Sequence, residues 1–360
     1  MHDKNILIMA GGTGGHVYPA LAVADGLKEK GFNLFWLGTD KGLETKVVPG
    51  HGYTLLKISV AGVRGKGVIR LLLTPFMLII ALLQALLIMI RIRPAVVLGM
   101  GGFASGPGGI AAWLMRIPLL IHEQNAIAGL TNRLLAPFAV TVMSAFPGAF
   151  KASSKLIVTG NPVRNDIANI AEPAKRFADN SNNRFKILIL GGSLGALRLN
   201  QVIPDALAEL NDCQIEIKHQ CGIKHLETTK EKYTNLNIQA EVFPFIEDMA
   251  ATYAWADIVI CRAGALTIAE LAICGVGSIL IPFPYAVDDH QTANAKYLSN
   301  SGAAILLQEV QLSVEKIKDL LNNLCHSSEQ RIDMAVKARS LAQPKATETV
   351  VRLCMEAAHA

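Results

Sequence analysis

Two glycine-rich turns in this chain have the composition of phosphate-binding sites. Residues 6–15 read Ile-Leu-Ile-Met-Ala-Gly-Gly-Thr-Gly-Gly, and residues 187–196 read Ile-Leu-Ile-Leu-Gly-Gly-Ser-Leu-Gly-Ala. Each apolar run is typical of a buried parallel strand, and the glycines let the backbone come close to a ligand. Because N–H groups at a helix start attract anions, both turns predict a phosphate or diphosphate site. Neither has the G-x-G-x-x-G spacing of dinucleotide-binding proteins, and two unrelated strand–helix turns are the alternative.

Polar residues follow another predicted strand, where open α/β sheets bind ligands. His122, Glu123, Gln124 and Asn125 come directly after the apolar run 118–121. A polar loop that forms its own capping hydrogen bonds is the alternative interpretation of this stretch.

A third glycine turn, residues 262–264, leads into a predicted helix. The start of that helix could hold phosphate, and Glu270, one turn further on, could accept hydrogen bonds from sugar hydroxyls. The sequence therefore favours a nucleotide diphosphate and a sugar as ligands.

The sequence predicts no metal site and no other cofactor. The cysteines at 213, 221, 261, 274, 325 and 354 have no C-x-x-C spacing and no Cys/His grouping, so we expect six reduced thiols. Asp288, Asp289 and His290 are adjacent in sequence, and neighbours on a helix do not face one site. The sequence also has no Walker lysine and no nucleophile elbow.

The alternation of apolar runs and helical patterns predicts an α/β fold with two Rossmann-like domains, whose parallel sheets face each other across a cleft. The expected domains are residues 1–163 and 164–342, and the helix at 343–360 is expected to pack back on the first domain. The first strand begins close to Met1, so we expect no signal peptide. Asp40 follows the second strand, where NAD-binding domains place a ribose ligand, but an ordinary loop carboxylate is favoured because the fingerprint is missing.

Residues 71–90 form the most hydrophobic segment of the chain and predict contact with a membrane. Their length would suit a membrane-spanning helix, but the next strand and glycine turn should belong to the same sheet. We therefore expect a helix that covers the sheet with one face and inserts the other face into lipid. A fully buried core helix is the alternative. Residues 1–160 carry 15 Lys/Arg and 6 Asp/Glu, a balance of +9 within a net charge of +5, which favours an anionic membrane surface. With few aromatic residues and no nucleic-acid motif, nucleic acid is not expected as a partner.

Six motifs in order along the chain resemble those of the MurG family of peptidoglycan glycosyltransferases, which have the GT-B fold. The motifs are Gly-Gly-Thr-Gly-Gly-His at 11–16, Gly-Met-Gly-Gly-Phe-Ala-Ser-Gly-Pro at 99–107, His-Glu-Gln-Asn at 122–125, Gly-Asn-Pro-Val-Arg at 160–164, Gly-Gly-Ser-Leu-Gly-Ala at 191–196, and the run 262–270. Together they cover nearly the whole chain.

The resemblance implies an inverting transfer of N-acetylglucosamine (GlcNAc). The donor would be UDP-GlcNAc and the acceptor the C4 hydroxyl of undecaprenyl-diphospho-N-acetylmuramoyl-pentapeptide, the step from lipid I to lipid II. It also implies a peripheral protein on the cytoplasmic face of the inner membrane, and it is compatible with protein partners from the cell-wall machinery.

The resemblance also implies roles for individual residues. Donor-binding residues would be Thr13, Gly14, Gly15, Asn125, Arg164, Ser193, Ile246, Ala265, Leu266, Thr267, Ile268, Ala269, Glu270 and Gln291. Acceptor-binding residues would be Gly11, Gly12, Gly101, Gly102, Ser105 and His122. The candidate base for the acceptor hydroxyl is His16, with Glu123 as the alternative, and a His16 that binds or orients phosphate is a further alternative.

The chain departs from some relatives at two positions. His290 stands where some have glutamine, which puts a sugar contact in doubt, and Phe103 stands where some have tyrosine. Three other functions remain open at this stage: a GT-B enzyme with a soluble acceptor, a nicotinamide-dependent oxidoreductase, and a membrane-associated protein that binds UDP-GlcNAc without catalysis.

Overall fold

The computed structural model describes residues 4–60, 68–178, 184–192, 195–210 and 212–359. The chain divides into two compact units. The N-terminal unit comprises Met1–Arg164 and Pro344–Ala360, and the C-terminal unit comprises Asn165–Gln343.

The described part of the N-terminal unit is a seven-stranded parallel sheet with helices, and its strand order is β3-β2-β1-β4-β5-β6-β7. With elements numbered along the chain, its strands are β1 (Asn5–Met9), β2 (Asn33–Gly38), β3 (Thr54–Lys57), β4 (Val96–Gly99), β5 (Leu119–Glu123), β6 (Thr141–Ser144) and β7 (Leu156–Val158). Its helices are α1 (Gly14–Glu29), α2 (Glu44–Gly50), α3 (Val68–Ile92), α4 (Ser105–Leu114), α5 (Leu130–Leu135) and α15 (Ala346–His359).

The described part of the C-terminal unit is a six-stranded parallel sheet with helices, in the strand order β10-β9-β8-β11-β12-β13. The strands are β8 (Phe185–Leu190), β9 (Ile215–Gln220), β10 (Glu241–Phe243), β11 (Ile258–Cys261), β12 (Gly277–Leu280) and β13 (Ala304–Leu306). The helices are α6 (Asn165–Ala168), α7 (Pro173–Ala178), α8 (Leu197–Ala208), α9 (Leu226–Asn235), α10 (Met249–Trp255), α11 (Ala265–Cys274), α12 (His290–Ser299), α13 (Val314–His326) and α14 (Ser328–Ser340). Short 3-10 turns lie at Ile223–His225, Val287–Asp289 and Glu309–Gln311.

The repeated apolar runs form the central strands of the two sheets. Ile6 and Ile8 in β1 and Ile187 and Ile189 in β8 are fully buried. Each buried side chain of this size stabilises the fold by about 1.5–3 kcal/mol, which explains why a continuous apolar run specifies a strand covered on both faces. The predicted α/β class with two Rossmann-like domains is confirmed.

Strand order places both glycine-rich turns where such sheets bind ligands. The order reverses between β1 and β4 in one sheet and between β8 and β11 in the other. A crevice opens at the carboxyl ends of the strands at such a reversal. The turns after β1 and β4 therefore flank one crevice, and the turns after β8 and β11 flank its equivalent in the C-terminal unit.

Helix α15 completes the core of the N-terminal unit. Val350, Val351 and Cys354 are buried in the same hydrophobic cluster as the residues of α1 and β1. A Cβ atom at Gly26 would lie 2.9 Å from Cγ2 of Val351, so a glycine in α1 permits the close approach of the two helices.

Helix α3 has one buried face and one exposed apolar face. On its inner face, Ala81, Ala85 and Met89 are spaced four residues apart and are fully buried. The side chains of Phe76 and Leu87 are 66% and 67% exposed, and Leu78, Ile79, Ile80, Leu83 and Ile90 are also exposed. By length and composition alone, Thr74–Ile92 could cross a membrane, with a mean hydropathy of 2.3.

The prediction of six reduced cysteines is wrong for one pair. Cys213 and Cys325 form a disulfide, and their Cα atoms are 6.4 Å apart. Because 112 residues separate them, the sequence offers no spacing that would reveal the pair. The other four cysteines are buried thiols, as expected.

Candidate functional site

The first glycine-rich turn of the N-terminal unit is held by a buried carboxylate. Glu44, the first residue of α2, is fully buried. Its Oε2 accepts the N–H of Gly12 at 2.9 Å, while Oε1 accepts the N–H and hydroxyl of Thr39 at 3.1 and 2.8 Å. A Cβ atom at Gly11 would lie 2.6 Å from Oε1, so the carboxylate requires a glycine there. Sequence reasoning missed Glu44 because its partners are mostly backbone groups.

The turn after β4 packs directly on the first turn. Gly101 and Gly102 have φ angles of +98° and +92°, which L side chains rarely adopt. A Cβ atom at Gly102 would lie 2.6 Å from the carbonyl oxygen of Gly11. The buried hydroxyl of Ser105 lies 3.1 Å from the Met9 carbonyl and 2.9 Å from the Gly101 carbonyl. Ser105 therefore joins the two turns and has its hydroxyl turned to the backbone.

His16 lies where these two turns meet, and it bonds to the backbone through one of its ring nitrogens. Nδ1 lies 3.1 Å from the carbonyl oxygen of Gly11. Because a carbonyl only accepts, the neutral ring carries its proton on Nδ1 and keeps a lone pair on Nε2. A Cβ atom at Gly101 would lie 3.1 Å from Nε2, so this nitrogen lies against the second turn. His16 is half-buried in the first turn of α1, whose N-cap Thr13 makes no side-chain capping bond.

His122 lies inside the protein and supports the backbone. It is fully buried, with Nε2 3.0 Å from the Gly160 carbonyl and Nδ1 3.1 Å from Nε2 of Gln124. Burial lowers the pKa of His122 to about 4, so the ring is neutral. Nε2–H therefore donates to Gly160, and Nδ1 accepts from Gln124. Both nitrogens have protein partners, and the structure does not place His122 at a ligand surface.

The carboxylate of Glu123 is surrounded by four donors. Oε1 accepts from the backbone and side-chain nitrogens of Asn125 at 3.0 and 3.2 Å. Oε2 accepts from the N–H of Gly129 and from Nδ2 of Asn132 at 3.0 and 2.9 Å. The side chain is 2% exposed. In this position Glu123 shapes the loop after β5 and orients Asn125.

In the C-terminal unit, Gln220 holds the turn that follows β8. Its Oε1 accepts the N–H of Gly192 at 2.9 Å, and its Nε2 donates to the carbonyls of Gly192 and Pro244, both at 3.0 Å. One side chain at the end of β9 therefore ties the glycine turn to the loop that leads to Ile246, which is 8% exposed. The predicted donor contact Ser193 lies outside the described residues.

A buried polar network supports the strand behind this turn. Asn200 donates from Nδ2 to the Cys221 carbonyl at 3.0 Å, so its Oδ1 accepts from Nε2–H of His219 at 3.0 Å. Nδ1 of His219 then accepts from the hydroxyl of Tyr233 at 2.9 Å. Burial lowers the pKa of His219 to about 3, which keeps the ring neutral.

Helix α11 begins directly after the turn that follows β11, and its positive end lies at that turn. Its N-cap is Gly264, which has no side chain to satisfy the first N–H groups. The predicted contacts Ala265 to Glu270 occupy the first turns of this helix. Glu270 is half-buried, and its Oε2 accepts the hydroxyl of Tyr253 at 3.0 Å. Burial raises the pKa of Tyr253, so its hydroxyl stays a donor and orients the Glu270 carboxylate.

Three polar residues around β11 and β12 bond to nearby backbone groups. Gln291 accepts through Oε1 from the N–H groups of Ala263 and Phe283 at 3.2 and 2.9 Å, and its amide nitrogen is the donor end. Arg262 donates to two carbonyls after β12 and pairs with Glu309, so it holds the backbone together. His290 is exposed.

The structure brings the predicted residues together in two groups, one in each unit. The N-terminal group is Gly11, Gly12, Thr13, Gly14, Gly15, His16, Gly101, Gly102 and Ser105, and the C-terminal group is Ala265, Leu266, Thr267, Ile268, Ala269, Glu270 and Gln291. Arg164 and Phe103 are exposed in the N-terminal unit. Asp40 is an exposed loop carboxylate that lies 3.9 Å from the Lys57 ammonium, the ordinary role that the sequence favoured.

Two family models match the chain, one over each sheet. Residues 6–144 match the glycosyltransferase family 28 N-terminal domain, and residues 186–350 match the glycosyltransferase family 28 C-terminal domain.

Similar proteins match over almost the full length. A protein of Marinobacter nauticus, named as a UDP-N-acetylglucosamine–N-acetylmuramyl-(pentapeptide) pyrophosphoryl-undecaprenol N-acetylglucosamine transferase, is 50% identical over 99% of this chain and 98% of its own. A protein of the same name from Pseudomonas savastanoi is 50% identical over 99% of both chains. The crystal structure of Acinetobacter baumannii MurG has a TM-score of 0.86 and 44% identity, over 98% of this chain and 99% of that one.

Proposed function

The chain belongs to glycosyltransferase family 28, and we propose that it transfers GlcNAc from UDP-GlcNAc to N-acetylmuramyl-(pentapeptide) pyrophosphoryl-undecaprenol. It is a hexosyltransferase of peptidoglycan synthesis that converts lipid I to lipid II. The observation that supports this most directly is the N-terminal crevice, where His16 keeps an Nε2 lone pair beside two interlocked glycine-rich turns. A base beside an anion-binding backbone suits a hydroxyl nucleophile carried on a diphosphate.

We assign donor binding mainly to the C-terminal unit. The start of α11, whose N-cap glycine has no side chain, and the turn at Gly192 suit the diphosphate of UDP, and Arg164 remains a predicted contact of that group. Glu270, oriented by Tyr253, accepts from the ribose hydroxyls, and the backbone at Ile246 bonds the uracil. The amides of Asn125 and Gln291 remain the predicted contacts of the sugar hydroxyls.

We assign the acceptor diphosphate to the two turns of the N-terminal unit. The N–H of Gly12 is already bonded to Glu44, so it orients the turn instead of reaching the ligand. The N–H of His16 already donates to the Thr13 carbonyl at 3.1 Å, so we assign this role to the N–H groups of Gly14 and Gly15, at the positive end of a 16-residue helix. They are the donors that the diphosphate would meet.

The proposed reaction is a single displacement at the anomeric carbon. His16 Nε2 takes the proton of the acceptor C4 hydroxyl, and the C4 oxygen forms a bond to C1 of GlcNAc. The C1–O bond to UDP breaks on the opposite side, which inverts the configuration, and UDP leaves with the bonding electrons. The imidazolium that forms keeps its Nδ1–H bond to Gly11. We assign Glu123 a positioning role, because both of its carboxylate oxygens already accept hydrogen bonds from Asn125, Gly129 and Asn132.

We propose that the protein associates peripherally with the cytoplasmic face of the inner membrane. The exposed apolar face of α3 would enter the lipid, while Arg91 and Arg93 at its end are exposed and could meet anionic head groups. A lipid-linked acceptor lies in the same surface, so the helix would bring the N-terminal crevice to its substrate.

Transfer of labelled GlcNAc from UDP-GlcNAc to a lipid-linked muramoyl-pentapeptide in detergent tests this function. We expect labelled disaccharide-lipid to form, and we expect a soluble muramoyl-pentapeptide without the lipid diphosphate to be a much poorer acceptor. Binding of UDP-GlcNAc without any transfer would contradict the proposal and favour a binding protein or another acceptor.

A further inference from the structure

Two cysteines and a histidine of the C-terminal unit lie close enough together to share one metal ion. One ligand atom from each of Cys213, Cys325 and His326 lies within 4.8 Å of the other two. Among the described residues, this is the one such group of three or more His, Cys, Asp or Glu side chains. We propose that these three side chains bind one zinc ion when the disulfide between the cysteines is reduced.

The proposed location of the protein favours the reduced form. Disulfides are rare in the cytosol, where dithiol reductants keep cysteines reduced. A dithiol supplies two electrons and two protons to the Cys213–Cys325 disulfide and becomes a disulfide itself. The product is two thiols whose Cα atoms are 6.4 Å apart in the folded protein. Each thiol releases one proton when its sulfur binds zinc.

The set of ligands suits zinc in charge and in kind. Two thiolates and one imidazole are the nitrogen and sulfur donors that zinc prefers, and water would complete the usual four-coordinate geometry. The two thiolates balance the charge of the ion. The guanidinium of Arg331, which donates to the Cys325 carbonyl at 2.9 Å, therefore lies beside a neutral complex and does not oppose binding strongly.

His326 has the backbone bond that orients many zinc-binding histidines. Its Nδ1 lies 2.9 Å from the carbonyl of Asn322, one turn earlier in α13. Donation from Nδ1–H leaves the lone pair on Nε2 and restrains the ring. Cys325 and His326 end α13, whereas Cys213 lies after α8, so zinc would join the same two segments as the disulfide does. The site would keep this cross-link in a reducing compartment.

Metal binding by the full-length protein tests the proposal. The protein is reduced with a phosphine, freed of it under nitrogen, and titrated with cobalt(II), which reports tetrahedral thiolate coordination by its visible and near-ultraviolet absorption. We expect about one equivalent of cobalt to bind and zinc to displace it. Zinc at about a hundredfold its Kd should raise the Tm of the reduced protein by roughly 5 °C.

Variants separate this site from other thiols. Cys213→Ser should abolish the thiolate-to-cobalt band, and His326→Gln should weaken zinc binding by about tenfold or more. His51→Gln is the matched control, because His51 is also exposed and its Nδ1 lies 2.9 Å from the Val47 carbonyl one turn earlier. Absence of binding by the reduced protein, or equal binding by the oxidised protein or by Cys213→Ser, would overturn the proposal.

Discussion

His16 and Glu44 bond to the two ends of one peptide group, the one that joins Gly11 to Gly12 in the first glycine-rich turn. Nδ1 of His16 bonds to the carbonyl oxygen of Gly11, and the carboxylate of Glu44 accepts the N–H of Gly12. The turn is therefore fixed by two side chains from different helices before any ligand arrives. Such preorganisation matters because a base must lie within hydrogen-bond reach of the proton that it removes.

Replacement of Glu44 by glutamine should loosen this turn. A glutamine that keeps its amide oxygen on Thr39 must turn its NH₂ group toward the N–H of Gly12, so this partly buried donor loses its acceptor. We expect the free energy of unfolding to fall by about 1–3 kcal/mol and the KM for the lipid acceptor to rise more than the Kd for UDP-GlcNAc. Urea unfolding and initial-rate kinetics measure the two effects. Glu29→Gln, on the exposed surface of α1, is the control and should change neither quantity.

His122 should make the stability of the N-terminal unit depend on pH. The folded ring has a pKa of about 4, whereas the unfolded ring takes a proton near 6.5. The stabilisation is therefore complete above pH 6.5 and is lost as the pH falls from 6.5 to 4. Lowering the pH from 7 to 5 should therefore reduce the free energy of unfolding by about 2 kcal/mol through this group.

The variant His122→Gln isolates that contribution. The glutamine amide can still donate to the Gly160 carbonyl, but it does not titrate. The difference in free energy of unfolding between wild type and variant should therefore shrink by about 2 kcal/mol from pH 7 to pH 5. Urea unfolding at the two pH values gives this difference. A constant difference would show that His122 does not stay neutral in the fold.

At the scale of elements, helix starts and strand ends create the two ligand-binding regions. Helices α1 and α11 both begin after a glycine-rich turn, and neither N-cap residue makes a side-chain capping bond. The positive ends of both helices are suited to anions. Helix α3 has a different role, because its small buried residues let it cover the sheet while its large apolar residues face outward.

The exposed face of α3 should control membrane binding. The double variant Leu83→Asn and Leu87→Asn removes two side chains that are 55% and 67% exposed, so folding should be little affected. We expect partition into phosphatidylglycerol vesicles to fall by about tenfold or more, since burying each leucine contributes about 1.5–3 kcal/mol when complete. Co-sedimentation measures the partition. The control is Val336→Asn, because Val336 in α14 is 50% exposed. If the double variant bound vesicles as strongly as the wild type, a role for α3 would be contradicted.

At the scale of the whole molecule, the strands were predictable, but much of the site was not. The continuous apolar runs at residues 6–9 and 187–190 identified the central strands because burial on both faces excludes polar residues. Strand order, which places the turns after β1 and β4 side by side, depends on long-range pairing and has no local signal. The roles of Glu44, Gln220 and Tyr253 also escaped the sequence, because each acts through partners far along the chain.

The polar stretch at 122–125 was visible in the sequence, but the role of each side chain was not. The prediction that all four residues of 122–125 follow the strand is wrong for His122 and Glu123, which are the last two residues of β5 and turn inward to bond to protein. Sequence alone does not distinguish a polar side chain that binds a ligand from one that satisfies buried backbone groups. The disulfide between Cys213 and Cys325 illustrates the same limit over 112 residues.

Single-turnover transfer by the variant His16→Asn tests the central claim most directly. The asparagine amide can replace Nδ1–H as the donor to Gly11, but it provides no base in place of Nε2. If His16 is the base, the rate of GlcNAc transfer to the lipid acceptor falls by about 10²–10⁴, while the Kd for UDP-GlcNAc and the Tm stay close to those of the wild type. A transfer rate within a few-fold of the wild type would contradict the account and assign proton removal to another group.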